Sequence, residues 1–128
     1  MKILDTTFLI DMLRGKKETL KILDTKETFL TTQINMYEVI RDLFLKNISS
    51  SKILEITELF ENIKVLNLDD NSIIKSAEIS SELIKKGQFI SDCDCLTAGI
   101  SLSRQINEIV TKNVKHFSRI KGVKVVKY

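Results

Sequence analysis

The sequence contains no proline and only four glycines in 128 residues. It has no internal repeat and no low-complexity segment, so nothing in it marks a linker between domains. A chain of this length buries about two-thirds of the surface that it exposes when unfolded. We therefore predict a single domain over residues 1–128, with the ordinary globular proportions of 43% apolar and 29% charged residues.

Cysteine, histidine and long apolar runs are also scarce. Cys93 and Cys95 are too few for a disulfide framework, and with His116 as the only histidine they do not complete a zinc site. We expect both thiols to be small apolar side chains in a reducing compartment. No run approaches the roughly 20 apolar residues that span a bilayer, and Asp5 and Asp11 interrupt the N-terminal segment where a signal peptide would be apolar. These features predict a cytoplasmic protein.

Acidic residues are absent from the last part of the chain. Residues 111–128 contain six basic residues and no Asp or Glu: Lys112, Lys115, Arg119, Lys121, Lys124 and Lys127. The other 14 Lys and Arg share residues 1–110 with all 17 Asp and Glu, so that larger part is net acidic. A basic tail on an acidic body can hold a polyanion beside a cation site. Lysines that protect a sheet edge explain the same pattern equally well.

Short extended segments alternate with helical ones along the chain. Strands are predicted at residues 1–4, 28–31, 64–68, 109–111 and 123–126, and helices at 6–14, 16–23, 33–47, 50–62, 70–86 and 92–104, with a helical turn at 113–117. The expected N-caps are Thr6 or Thr7, Asp70 or Asn71, and Ser91 or Asp92. Such alternation predicts an α/β fold whose parallel sheet is covered by helices on both faces.

Residues 33–47 carry apolar residues at helical spacing. They form one stripe, which Val39 and Leu43 widen: Ile34, Tyr37, Ile40 and Phe44. We expect Met36, Tyr37 and Phe44 of this segment, and Met12 near the N-terminus, to pack in the core. Glu38 lies at the border of the stripe, where partial burial would oblige its carboxylate to find a partner.

Four acidic or amide side chains are placed where they could point into one pocket: Asp5, Glu38, Asp94 and Asn113. Ligand sites in parallel sheets lie beyond the carboxyl ends of the strands. Asp5 and Thr111 fall at two such ends, and Asp94 opens a helix. Carboxylates that converge repel one another and attract a hard divalent cation. Oxygen donors favour Mg²⁺ or Mn²⁺ over zinc or copper.

The acidic residues also have ordinary structural explanations. Asp5, Asp92 and Asp94 suit helix N-termini, where a side-chain oxygen caps free N–H groups and the helix dipole favours negative charge. Glu38 is one of several helical glutamates. The combination, rather than any single residue, indicates a metal site in a chain with one histidine and no Ser-His-Asp arrangement.

Ordered motifs are distributed along nearly the whole chain. They are LDTTFLI at residues 4–10, the helical Glu38, ISDCDCLTAG at 90–99, VTKNVKHF at 110–117 and GVKVV at 122–126. In order and spacing the chain resembles the PIN-domain ribonucleases of the VapC toxin type, the nuclease half of VapBC toxin–antitoxin pairs. Two positions depart from the pattern: Thr7 replaces the usual Asn or Ser, and the uncharged Asn113 replaces a common Asp.

The resemblance implies a PIN-like α/β/α sandwich with a central parallel sheet of about five strands. It implies a metal-dependent endoribonuclease that hydrolyses RNA phosphodiesters, with Asp5, Glu38 and Asp94 as catalytic residues. By the same resemblance Mg²⁺ or Mn²⁺ would be held by Asp5, Glu38, Asp92, Asp94 and Asn113, directly or through water, with Thr6 and Thr111 in support. Asp92 would compensate for the charge that Asn113 lacks.

The same resemblance implies three partners: an RNA substrate, a VapB-like antitoxin that inserts a basic side chain into the acidic pocket, and a second copy of the chain. The basic residues after Thr111, with Arg14, Lys16 and Lys17, would hold the RNA backbone. Any of the predicted core residues that proved exposed would serve the dimer surface or the antitoxin groove.

Parts of the sequence fit three other interpretations. Residues 92–95 superficially match the nucleophile motif of haloacid-dehalogenase-like phosphatases, but residues 87–90 make a poor preceding strand. Residues 66–70 resemble the paired acids of a receiver domain, but those acids should follow the first strand. The more serious alternative is a weak or inactive PIN-like module that binds RNA or a partner, which Asn113 alone supports.

Overall fold

The computed structural model describes all of residues 1–128. Five short strands form one sheet: β1 (Lys2–Leu4), β2 (Phe29–Thr32), β3 (Lys64–Leu66), β4 (Glu108–Val110) and β5 (Lys124–Val126). All neighbouring strands are parallel and the order is β3-β2-β1-β4-β5. The strand order therefore reverses direction between β1 and β4, which is where a parallel sheet opens a crevice at its carboxyl edge.

Seven helices connect and cover the strands: α1 (Thr6–Leu13), α2 (Lys17–Leu23), α3 (Gln33–Leu45), α4 (Ser50–Glu61), α5 (Asp70–Lys85), α6 (Asp92–Leu102) and α7 (Val114–Phe117). Every predicted strand and helix is present, with ends shifted by a few residues. The predicted α/β/α sandwich with a five-stranded parallel sheet is confirmed. No helix combines the length and apolarity that crossing a membrane requires.

Two apolar cores lie on opposite faces of the sheet because successive strand residues point to opposite sides. Ile3 and Ile109 enter one core with residues of α5 and α6. Leu4 and Val110, the next residues along the same strands, enter the other core with residues of α1, α3 and α4. The strands are thus buried on both faces, as parallel sheets require.

Two of the predicted N-caps were wrong by one residue. Asp5, rather than Thr6 or Thr7, caps α1 by accepting a hydrogen bond from the Phe8 amide. Asp69, rather than Asp70 or Asn71, caps α5 through the Ser72 amide. In each case the residue at the strand-to-helix junction keeps an extended backbone, which points its carboxylate at the free N–H groups of the first turn. The Ser91 cap of α6 is confirmed.

The expected core packing of Tyr37 and Phe44 is wrong. Their side chains are 56% and 63% exposed, whereas Met12 and Met36 are partly buried against the core. The buried residues of α3 are Asn35 and Val39, four positions apart. Val39 and Leu43 of the predicted stripe do pack against the core, so the prediction fails at the outer edge of the stripe and omits the buried polar Asn35.

Candidate active site

Asp5 lies at the centre of the carboxyl edge of the sheet, directly after β1. Its residue exposure is 3%, and its Oδ1 accepts hydrogen bonds from the Phe8 amide at 3.0 Å and from Thr7 Oγ1 at 2.7 Å. Thr111, which follows β4, donates its hydroxyl to the other oxygen, Oδ2. The same carboxylate thus caps α1 and joins the two strands at the switch point.

The surroundings of Asp5 make its ionisation costly in the absence of a cation. Burial raises its pKa most, the hydrogen bonds from Thr111, Phe8 and Thr7 lower it, and the negative charge of Asp94 raises it again. The result is a pKa of about 6 instead of 3.8. A carboxylate in this condition gains from a positive charge placed beside it.

Glu38 reaches the same edge from α3 through a chain of hydroxyl and amide groups. Thr6 Oγ1 donates to Glu38 Oε1 at 2.6 Å, and Asn35 Nδ2 donates to Thr6 Oγ1 at 3.1 Å and to Thr97 Oγ1 at 3.3 Å. Thr32 Oγ1 completes the chain by donating to Asn35 Oδ1 at 2.7 Å. These contacts fix the position of Glu38, whose side chain is 19% exposed.

Asp94 approaches from the first turn of α6. Its side chain is 13% exposed, and its Oδ2 lies 3.1 Å from Nδ1 of His116 on α7. The negative charge of Asp94 contributes to the raised pKa of Asp5. Burial chiefly raises the pKa of the Cys93 thiol, and the charges of Glu38 and Asp94 also raise it. Three elements that are distant in sequence therefore bring Asp5, Glu38 and Asp94 to one edge.

The other two predicted ligands are placed less favourably. Asp92 is exposed and lines a cleft against α5 with Ile73 and Ser80, on a different side of α6 from Asp94. The backbone N–H of Asn113 donates to Thr111 Oγ1 at 2.8 Å, while the side chain of Asn113 makes no hydrogen bond. Asp92 therefore does not supply the charge that Asn113 lacks.

No three Asp, Glu, His or Cys side chains lie close enough together to form a complete metal site. The donors at this edge are nevertheless all hard oxygen ligands, and burial raises the pKa of Asp5. Mg²⁺ typically binds through one or two carboxylates and keeps several waters. The residues present fit an ion of that kind, held partly through water.

Sequence reasoning missed three residues of this site. Asn35 holds Thr6 and Thr97, His116 pairs with Asp94, and Thr7 links Asp5 to the amide of Lys112 at 3.0 Å. Only Thr7 carried a usable signal, since it stood at a noted departure from the family pattern. The buried side of α3 could not be deduced from apolar spacing, so Asn35 was not identified.

The basic residues at the end of the chain have more than one role, as the two explanations of polyanion binding and sheet-edge protection suggest. Lys124 lies on β5, an edge strand, and pairs with Glu108, as expected for lysines that protect an edge. Arg119 donates to the carbonyl groups of Gln88 and Phe89. Lys112, by contrast, directly follows Thr111 at the candidate site.

Comparison with known proteins identifies the family of the chain. The PIN domain family model matches residues 2–123, so the chain belongs to the PIN-domain family. It is 29% identical over 126 residues to the tRNA(fMet)-specific endonuclease VapC of Salmonella typhimurium, covering 95% of this chain and 93% of that protein.

Solved VapBC structures share the fold. The DNA-bound VapBC of Salmonella typhimurium matches with a TM-score of 0.86 and 26% identity, over 98% of this chain and 96% of the other. VapBC2 of Rickettsia felis, bound to a promoter DNA fragment, matches with a TM-score of 0.84 and 19% identity, over 99% and 98% of the two chains.

Proposed function

We propose that this protein is a Mg²⁺- or Mn²⁺-dependent endoribonuclease, active in the cytoplasm as the toxin of a toxin–antitoxin pair. The observation that carries the proposal is the buried Asp5 at the switch point of the sheet, with its pKa raised to about 6 and Asp94 beside it. A small parallel-sheet protein that keeps a carboxylate in this condition at its ligand-binding edge has a pocket suited to a cation. Its curated VapC relative is an RNA endonuclease.

Asp5, Glu38 and Asp94 would hold the ion, and Asn113 would contribute at most a neutral oxygen. When bound, the ion would supply an activated water for attack on phosphorus and would offset the negative charge that develops on the phosphodiester. The protein's own part is positioning. Thr111 and Thr7 fix the two oxygens of Asp5, and Thr6 fixes Glu38.

His116 holds Asp94 in place through the 3.1 Å contact between Nδ1 and Oδ2. A fixed carboxylate loses little freedom when ligand and substrate arrive, which favours catalysis by preorganisation. Basic residues near the carboxyl edge of β4 would hold the RNA backbone against the repulsion of the acidic pocket.

We propose two protein partners, a VapB-like antitoxin and a second copy of the chain. The solved relatives are VapBC complexes. The outer face of α3 presents an apolar groove lined by Met36, Tyr37, Ile40 and Phe44. Exposed apolar surface of this kind is typical of an interaction site, and its place on the helix that carries Glu38 would let a bound antitoxin reach the acidic pocket.

The decisive experiment measures cleavage of total cellular RNA by the wild type, Asp5→Ala and Asp94→Ala in Mg²⁺ and in excess chelator. We expect cleavage by the wild type in Mg²⁺ only, and a loss of at least about 100-fold in both variants because each removes charge needed in the transition state. Asp24→Ala, which removes an exposed carboxylate that makes no ion pair, should cleave like the wild type. Equal cleavage by Asp5→Ala, or cleavage in chelator, would refute the assignment.

A non-catalytic PIN-like module is the second candidate, favoured by the neutral Asn113 and by the absence of a three-residue metal cluster. It predicts RNA binding without metal-dependent cleavage. In that case the variant Asn113→Asp should restore cleavage by returning the missing charge.

A further inference from the structure

Asp11 is a buried carboxylate for which the proposed chemistry has no use. It lies on α1 with its side chain 9% exposed, and Lys16 and Lys112 reach it from different parts of the chain. Lys16 Nζ contacts Oδ1 at 3.1 Å and Lys112 Nζ contacts Oδ2 at 2.9 Å. The Tyr128 hydroxyl donates to the same Oδ2 at 2.9 Å. We call these four residues the Asp11 cluster.

The Asp11 cluster adjoins the candidate active site through two direct connections. The Lys112 amide donates to Thr7 Oγ1 at 3.0 Å, and Thr7 donates in turn to Asp5. The Tyr128 ring packs edge-on against Phe8 with centroids 4.9 Å apart, and the Phe8 amide also donates to Asp5. A group bound at the cluster would therefore lie beside the acidic pocket.

The cluster keeps a net charge of +1, with two lysines facing one carboxylate. Burial raises the pKa of Asp11, but the hydrogen bonds from Lys112, Lys16 and Tyr128 outweigh it and hold the pKa at about 2. Asp11 thus stays ionised as a fixed counter-charge. Each ammonium group has three N–H donors, and the lysine side chains are 42% and 44% exposed, so donors remain directed at solvent.

A second carboxylate with two lysines provides the contrast. Glu108 contacts Lys2 and Lys124 at 3.5 Å each, but it is 29% exposed and starts β4, at the amino edge of the sheet. The contacts of Asp11 are shorter, its carboxylate is buried, and its lysines lie at the carboxyl edge. Lys2 also contacts Glu27 at 3.5 Å, so the arrangement around Glu108 is less positive as well as more exposed, at the opposite end of the same sheet.

We propose that Lys16 and Lys112 form a subsite for a backbone phosphate of the RNA next to the scissile one, and that Asp11 and Tyr128 are the positioning residues that hold the two lysines in place. The inference rests on the proposed ribonuclease function, because RNA is the polyanion that it names. A phosphate could accept hydrogen bonds from both ammonium groups, while Asp11 keeps them from extending into solvent.

Binding can be measured separately from cleavage. We suggest fluorescence anisotropy with a labelled short oligouridylate in excess chelator, over a range of salt concentrations. Each lysine that contacts a phosphate should contribute about 0.7 to the slope of log Kobs against log salt for a single strand. Lys112→Met and Lys16→Met should each lower the slope by about that amount. Lys124→Met, the matched control at the opposite edge, should leave it unchanged.

Asp11→Asn distinguishes positioning from simple attraction. The variant raises the net charge by one, so unspecific electrostatics predicts tighter RNA binding. The proposal predicts the reverse: severalfold weaker binding, and in cleavage a raised KM with little change in kcat. Glu108→Gln makes the same change in charge at the amino edge and should not weaken binding. Tighter or equal binding by Asp11→Asn would overturn the inference.

Two further results complete the test. If Asp11→Asn fails to fold, Tyr128→Phe takes its place, because it keeps the ring packing and removes only one hydrogen bond. Tyr128→Phe should weaken RNA binding less than Lys112→Met does. Wild-type RNA affinity in both Tyr128→Phe and Lys112→Met would overturn the proposal. Salt-dependent binding that needs Lys112, without any cleavage, would refute the nuclease assignment and support the subsite. Cleavage that needs Asp5 but does not change in the Lys16 and Lys112 variants would support the nuclease assignment and refute the subsite.

Discussion

The raised pKa of Asp5 predicts that the metal-free protein loses stability as the pH rises. The folded state holds the Asp5 proton up to a pH of about 6, whereas the unfolded chain releases it near 3.8. Between these values the folded state binds more protons than the unfolded state, so the free energy of unfolding decreases with pH. The stabilisation that protonated Asp5 contributes is complete below pH 3.8 and is lost as the pH rises through about 6.

The magnitude follows from the same two values. Each pH unit between them is worth about 1.4 kcal/mol, so the interval from 3.8 to about 6 corresponds to about 3 kcal/mol. Typical domains have a total stability of about 5–15 kcal/mol, which makes this loss readily measurable. Asp5→Asn keeps the shape and an accepting oxygen for the Phe8 amide, but it removes the titration.

The assay is urea unfolding in excess chelator at several pH values, for the wild type, Asp5→Asn and Asp24→Asn. Between pH 3.8 and about 6 the wild type should lose about 3 kcal/mol relative to Asp5→Asn. Asp24 is exposed, so its variant should follow the wild type. Parallel curves for the wild type and Asp5→Asn would show that Asp5 is not the buried, electrostatically opposed carboxylate described above.

Two other predictions concern the pocket and the packing of the helices. Mn²⁺ at about 100 times its Kd should stabilise the wild type by about 2.7 kcal/mol near neutral pH, seen as a higher Tm; equal gains in Asp5→Asn and Asp94→Asn would contradict the proposed site. Gly99→Ala should cost about 1–3 kcal/mol or more in urea unfolding, because its Cβ would lie 1.8 Å from Ser76 Oγ and 2.8 Å from the Ser76 amide nitrogen. Adding Ser76→Ala should not restore stability, since the backbone contact remains, and full rescue would refute this explanation.

Much of the site could be predicted because parallel strands end at one edge. Asp5 and Thr111 are 106 positions apart, yet each directly follows a strand, and β1 and β4 are neighbours. Alternating helical and extended patterns placed both residues at strand ends, whereas the adjacency of β1 and β4 is known only from the structure. The same logic placed Asp94, because the helix that it opens must pack on the sheet.

The parts that were missed depend on side-chain direction. Asn35 is buried because Thr6, Thr32 and Thr97 satisfy its amide, and none of these partners could be identified from local spacing. The predicted apolar stripe of α3 extended to Tyr37 and Phe44, which are exposed, whereas Val39 and Leu43 of the same stripe pack against the core. Apolar spacing thus located the inward side of the helix but not the limits of its buried face.

The electrostatics of Asp5 connects the stability of the protein to its control. A cation beside Asp5 removes part of the cost of ionising it, whether the cation is a metal ion or a basic side chain of an antitoxin. Both would gain the most from the same buried carboxylate and from Asp94, so we expect their binding to be mutually exclusive. Asp5→Asn should weaken both together. A variant of the α3 surface, such as Phe44→Ala, should weaken antitoxin binding and leave metal binding unchanged. Phe44 lies on the exposed apolar face and contributes no charge to the pocket.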